Sequence, residues 1–242
     1  MTAMMVSCEK ENGGGGSPVD TTGTGGDTPA DTTGTGGNPG GEVTDTNWVD
    51  LGLPSGLLWA TCNIGATNPE GYGDYFAWGE TQTKSVYNWS TYRYCTVDTE
   101  GALATLTKYN TSTSWGAVDN LTTLQPSDDA ATANLDNGAR TPTKVEWEEL
   151  INNTTVTWTT LNGINGRRFT ATNGKSIFLP ATGHRYDSDS YGTNICGNYW
   201  ASSLNTGGYS TCAWSLYFNS DDQSLGNGSD RCMGFSVRAV KN

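Results

Sequence analysis

The chain has 242 residues and a formal net charge of −12, from 13 Lys and Arg against 25 Asp and Glu. An acidic chain with no basic cluster argues against nucleic acid or an anionic membrane surface as partner. No apolar run has the length needed to cross a bilayer as a helix.

The first twelve residues read MTAMMVSCEKEN. Short, mostly small or apolar residues lead to Cys8, and polar chain follows at once. The pattern resembles the end of a bacterial lipoprotein signal peptide, in which the cysteine becomes the lipidated N-terminus. The bland alternative is an ordinary N-terminus with an incidental cysteine. Residues 1–8 are thus expected to be a signal remnant with Cys8 as lipid anchor. EKEN is similar to the acidic export signal that follows the anchor cysteine in surface lipoproteins of the Bacteroidetes. Residues 9–46 contain almost nothing apolar and repeat DTTGTGG at 20–26 and 31–37. Such a stretch cannot bury enough surface to offset its chain entropy, so it reads as a disordered tether with an r.m.s. span of about 35 Å. DTT within each repeat is similar to the O-glycosylation site of the same bacteria.

All nine tryptophans and eleven tyrosines lie beyond that tether, which makes 47–242 a single domain. Residues 47–66 predict two short strands joined by a Pro-Ser-Gly turn, with Leu57, Leu58 and Trp59 inward. Residues 71–81 suit a packed aromatic loop. A short helix is expected in 126–138, capped by Ser127 and stopped by Gly138. The clearest helix lies in 141–153, where Thr143 and Glu146 match a capping box and Trp147, Leu150 and Ile151 share a face. Residues 167–180 predict a hairpin turning on Asn173-Gly174. In 213–218, Trp214, Leu216 and Phe218 alternate inward against Ser215, Tyr217 and Asn219 outward. Residues 234–240 read as a closing strand. The class is α+β: two short helices, several short antiparallel strands and long loops.

Seven blocks, VDLGLPSGLLWATCNIGA, GDYFAWGET, DDAA, ARTPTKVEWEEL, IFLPATGHR, YWASS and GFSVRAV, together resemble the Fibrobacter succinogenes major paralogous domain, abundant in Bacteroidetes surface lipoproteins. RTPTKVEWEEL is also similar to the helix-opening block of formylglycine-generating-enzyme-like domains. The resemblance implies a C-type lectin-like domain carried at the outer surface of the outer membrane. Relatives often have a cysteine where this chain has NNTTVTW (152–158), which implies that Cys62 lacks a partner.

Catalytic chemistry finds little footing. His184 is the one histidine and reads as a packed strand-end residue, since no Ser/His/Asp or Cys/His arrangement surrounds it in sequence. The cysteine pair of formylglycine chemistry is not matched. TATNGKS (170–176) places Phe169 where a phosphate loop needs glycine. DSDS (187–190) and NSDD (219–222) supply oxygen ligands without EF-hand spacing, so no metal or cofactor is assigned. Cys62, Cys95, Cys196, Cys212 and Cys232 are odd in number, so one or two disulfides leave at least one free thiol, and Cys232 reads as non-structural.

From Asn194 to Met233, 28 of 40 residues are Asn, Ser, Asp, Gly, Tyr, Cys or Thr, set among apolar scaffold positions. Tyr supplies contact area at low entropic cost and Ser, Gly and Asn supply adaptable hydrogen bonding. The pattern resembles the variable regions of diversity-generating retroelement targets, which use C-type lectin-like folds; ordinary β-rich loops share much of the same composition. The expected contact patch is Tyr209, Thr211, Tyr217, Asn219, Asp221, Asp222, Asn227, Asp230 and Arg231. The expected function is adhesion or recognition of a protein or glycan by a non-enzymatic surface lipoprotein, held to the membrane only by its anchor. A formylglycine-type or other surface enzyme, and a structural lipoprotein without a discrete ligand, are the alternatives.

Overall fold

Turn chemistry cuts this chain into short pieces. The computed structural model describes residues 48–135, 138–207 and 210–242, with Asn227 described by its backbone only. Cys8 and the expected tether lie outside the described residues. In chain order these form β1 (Trp48–Asp50), β2 (Leu58–Ala60), β3 (Cys95–Val97), β4 (Leu103–Leu106), α1 (Ala130–Asn134), α2 (Lys144–Asn152), β5 (Thr154–Leu161), β6 (Ile164–Ala171) and β7 (Ser176–Pro180). Then come β8 (His184–Tyr186), β9 (Asp189–Tyr191), β10 (Gly197–Leu204), β11 (Cys212–Phe218), β12 (Gln223–Asp230) and β13 (Val240–Lys241). Three sheets, β1-β2-β13, β5-β6-β7 and β10-β11-β12, and two ribbons, β3-β4 and β8-β9, pair antiparallel throughout. This is an α+β fold dominated by short antiparallel strands. Among the described residues no helix is long and apolar enough to cross a membrane.

Local chemistry accounts for most of these boundaries. The α2 capping box is complete: Thr143 Oγ1 accepts from Glu146 N, and Glu146 Oε2 accepts from Thr143 N at 2.7 Å. Two donors at the helix start are thereby satisfied. Trp147 and Leu150 on its inner face are buried. The helix at 130–134 starts later than expected. Pro126 opens a separate 3-10 turn over Pro126–Asp128, so the cap is Asp129, whose Oδ1 accepts from Ala131 N and Thr132 N, and not Ser127. The β6-β7 hairpin forms as expected but turns through three residues. Ala171 N donates to Lys175 O, Gly174 N donates to Ala171 O, and Gly174 takes φ +81°.

The core divides into two apolar clusters, one around Trp78, Tyr109, Trp200 and Phe235, the other around Trp59, Trp147, Tyr199 and Phe218. Strand β10 separates them. Trp200 stacks on Phe235 at 4.2 Å on one side, while Tyr199 stacks on Phe218 at 5.9 Å on the other. Because both faces of this sheet are covered, the expected in-and-out alternation of β11 does not appear: Ser215 and Tyr217 are buried along with Leu216 and Phe218.

The closing segment is also not one strand. Gly234 bridges to Arg185, Phe235 to Phe76 and Ser236 to Tyr199 before β13 joins β2. Arg238 locks it in place. Fully buried, its guanidinium donates to Ala60 O, Thr61 O, Asn63 Oδ1 and Phe178 O. Burial pulls its pKa down to about 10.

Candidate functional site

The polar last third of the domain is built on β10-β11-β12 and the turn between β11 and β12. That turn folds on Asn219, whose Oδ1 accepts from Asp221 N at 2.9 Å and Asp222 N at 2.7 Å, while its own N–H donates to Asp222 O. Asx chemistry of this kind makes a turn without help from the strands. A second hold comes from Arg167 on β6. Its Nε donates to Asn219 O at 3.1 Å, Nη2 to Asp222 O at 3.0 Å and Nη1 to Gln223 Oε1 at 3.2 Å. Burial lowers the pKa of Arg167, and Asp222 and Asp221 push it back up. Ser220, Asp221 and Asp222 remain exposed at the tip. The result is a short acidic tip presented on a backbone clamped from both sides.

The other expected contact residues separate. Asp221 and Asp222 are exposed and Asn219 and Thr211 half-buried. Tyr217 is only 9% exposed, and its hydroxyl accepts from Asn219 Nδ2 at 3.2 Å, so it supports the turn from beneath and is not an outward residue. Asp230 is half-buried at the end of β12, where Cys212 Sγ donates to its Oδ1 at 3.7 Å. Burial raises the pKa of Asp230, and the Cys212 bond offsets this in part. Tyr209 and the side chain of Asn227 lie outside the described residues.

Arg231 overturns the outward assignment made from sequence. It is 0% exposed. Its N–H donates to Thr211 O, its O accepts from Trp78 N, and Nη1 and Nη2 donate to Tyr109 O and Lys108 O. The guanidinium lies 5.3 Å from the ring centroids of both Trp78 and Tyr92. The chain turns inward immediately after β12, so Arg231 anchors the 107–110 loop and offers nothing to a ligand. Tyr109 holds φ +57° here, with its N–H donating to Asp119 Oδ2. Beside it, burial pushes the Asp128 carboxyl up, but hydrogen bonds from Lys108, Tyr109, Tyr94 and Ser127 outweigh this and hold it at about 2.

Arg167 was missed by the sequence reading. Its signal is the period of β6: Phe169 faces the core, so Arg167, two residues earlier, faces the same way.

The thiols and the histidine are placed for packing. Among the described residues Cys62, Cys95, Cys212 and Cys232 are free and Cys196 is disulfide-bonded, in line with the expectation that at least one thiol stays free. Cys232 belongs to the apolar core, which corrects its reading as non-structural. Burial pushes the Cys212 thiol up to about 11 and raises those of Cys95 and Cys232, which keeps them protonated and weakly nucleophilic at neutral pH. His184 stacks on Tyr191 at 5.4 Å and meets the edge of Phe235 at 6.0 Å, and burial lowers its pKa, so the ring is neutral. Among the described residues no three His, Cys, Asp or Glu side chains converge on a metal position.

A second concave feature lies elsewhere. A groove of about 540 Å³ opens between the β1-β2 loop at Leu51–Pro54, the α2-to-β5 junction at Asn152–Thr155, and Thr170–Thr172. No charged residue lines it.

Compared with known proteins, the chain matches no family model, no curated protein and no solved structure.

Proposed function

We propose that this chain is a lipid-anchored, cell-surface binding protein that presents a C-type lectin-like domain and recognises a protein or glycan through the β11-β12 turn and its neighbours. The observation that carries the reading is the Arg167 clamp. Three hydrogen bonds from Arg167 on another sheet fix the backbone of this polar loop while its tip stays exposed. A loop that binds gains from having its backbone fixed beforehand, because the ordering cost is met in the free protein. Asp221, Asp222, Asn219, Thr211 and Asp230 are the contact residues in this reading, with Tyr209 and Asn227 beside them in sequence. Asp221 and Asp222 carry carboxylates at the solvent-facing tip, which suits hydrogen-bond donors such as sugar hydroxyls or protein amides and cations. The outer-membrane anchor rests on Cys8 and the residues that follow it.

The test is binding of the full chain to bacterial and host cells and to a glycan array, comparing wild type with the Asp221→Ala/Asp222→Ala double variant. The reading expects a bound target whose signal falls in the variant; equal binding by both proteins to every target overturns it. Metabolic labelling with a radioactive fatty acid, lost in Cys8→Ala, is the expected result for the anchor. The retroelement resemblance expects a neighbouring reverse-transcriptase gene and a near-copy of codons 194–238 that differs only at adenines.

A further inference from the structure

Strand β5 is the outer strand of its sheet, and among the described residues no other strand pairs with its free edge. It runs for eight residues, TTVTWTTL, without a charge, proline or glycine, and its register with β6 has no shift from Thr154–Ala171 to Leu161–Ile164. Exposed edges of this length are normally blunted by charges, prolines or bulges, because unpaired N–H and C=O groups invite a further strand. The other edges of these sheets are blunted. Strand β12 carries Gly226, Gly228 and Asp230, with a register shift opposite Ala213–Ser215. Beside β7, Arg238 and Tyr199 take the carbonyls of Phe178 and Pro180.

We propose that β5 is a self-association edge, through which two copies of this chain pair antiparallel about a two-fold axis and merge their three-stranded sheets into one of six. The β5-β6 turn fixes which groups are available. Asn162 at φ +48° and Gly163 at φ +84° form a type I′ turn, so Leu161 and Ile164 exchange both main-chain bonds. Counting back by twos, Thr159, Thr157 and Thr155 also bond to β6. Thr160, Trp158, Val156 and Thr154 direct their N–H and C=O groups outward. Residues opposed across the two-fold must share a face, so the register that pairs all of 154–160 sets Thr157 against the partner's Thr157. It also sets Val156 against the partner's Trp158, and Thr154 against the partner's Thr160.

Charge at this edge does not oppose a second copy as the occupant. The chain carries −12 overall, so most surfaces meet their own copy with like charge, whereas β5 brings none. The groove fits the same arrangement. In this register the partner's Asn162–Gly163 turn projects past Thr154 towards Asn152 and Asn153, which line it. Because the contact is isologous, it closes at a dimer and does not propagate. A single strand pair is a small interface, so the association is weak.

Sedimentation of the full chain over a rising concentration series tests this. The weight-average mass should climb towards twice that of the monomer. Thr157→Lys puts two like charges face to face at the axis from an exposed position, and should weaken association about tenfold or more. Thr160→Pro removes an outward N–H without touching the β6 ladder and should do the same, while Thr157→Val keeps the dimer. Circular dichroism of each variant establishes that the fold is intact. A wild type that stays monomeric at every concentration overturns the proposal, and so does a dimer that persists in folded Thr157→Lys or folded Thr160→Pro.

Discussion

The β5-β6-β7 and β10-β11-β12 sheets each have three strands, yet one is regular and the other is not. In the first, the β5-β6 ladder runs unbroken over eight pairs. In the second, register shifts fall between Trp200 and Leu204 and between Ala213 and Ser215. The irregular sheet is the one covered on both faces, with Trp200 packed into one core cluster and Phe218 into the other. Tertiary packing supplies what the ladder lacks, and the outermost strand and its turns are then free to carry polar residues. Arg167 joins the two sheets: rooted in the regular one, it holds the turn of the irregular one.

The sharpest way to break this contrast is at the centre of β10. Trp200→Ala removes a ring that stacks on Phe235 and an indole N–H that donates to Phe76 O at 2.7 Å. Chemical denaturation should show a loss of about 3–5 kcal/mol. Arg167→Met keeps the stem but removes the clamp, and should cost about 1–3 kcal/mol while amide exchange at Asp221 and Asp222 speeds up. If exchange there does not change, the turn is held by Asn219 alone. Thr143→Ala opens the α2 capping box and should cost about 1 kcal/mol on the regular side of the molecule, leaving the β11-β12 turn untouched.

Acid should separate two carboxylates. Asp128 is held at about 2, below its usual 3.8, so its stabilising contribution is present above 3.8 and lost as pH falls through 2. The wild type should therefore lose stability more steeply than Asp128→Asn across that window. Asp230 has the opposite sign: its raised pKa gives stability that is present below its usual value and lost as pH rises. Asp230→Asn should be at least as stable as wild type at neutral pH. The smallest expected effect is that of Asp221→Ala on stability, within about 0.5 kcal/mol, because its side chain is exposed at the tip.

What was legible in the sequence was what local chemistry decides. Thr143 and Glu146 are three residues apart and cap their helix whatever surrounds them, and the β6-β7 hairpin needs only its own turn. The boundary at Asp129 was misplaced because Pro126 and Asp129 both favour starting a turn, and the packed position of Asp129 against Thr141 decides between them. Arg231 and Tyr217 were unreadable for a different reason. Their burial is created by Trp78, Tyr92 and Tyr109, or by a sheet face that later segments cover, and these lie far away in the chain. The α+β class and the acidic tip could be read from sequence; which polar residues point away from the solvent could not.

The placement of Arg238 and β13 has a consequence for biogenesis. Strand β13 pairs with β2, and Arg238 ties together Ala60, Asn63 and Phe178, so residues 237–241 complete contacts begun about 180 positions earlier. A ribosome releasing this chain from its N-terminus leaves both core clusters short of Val237, Ala239 and Val240 until synthesis has passed them. Both core clusters can therefore be completed only after nearly the whole domain has been synthesised.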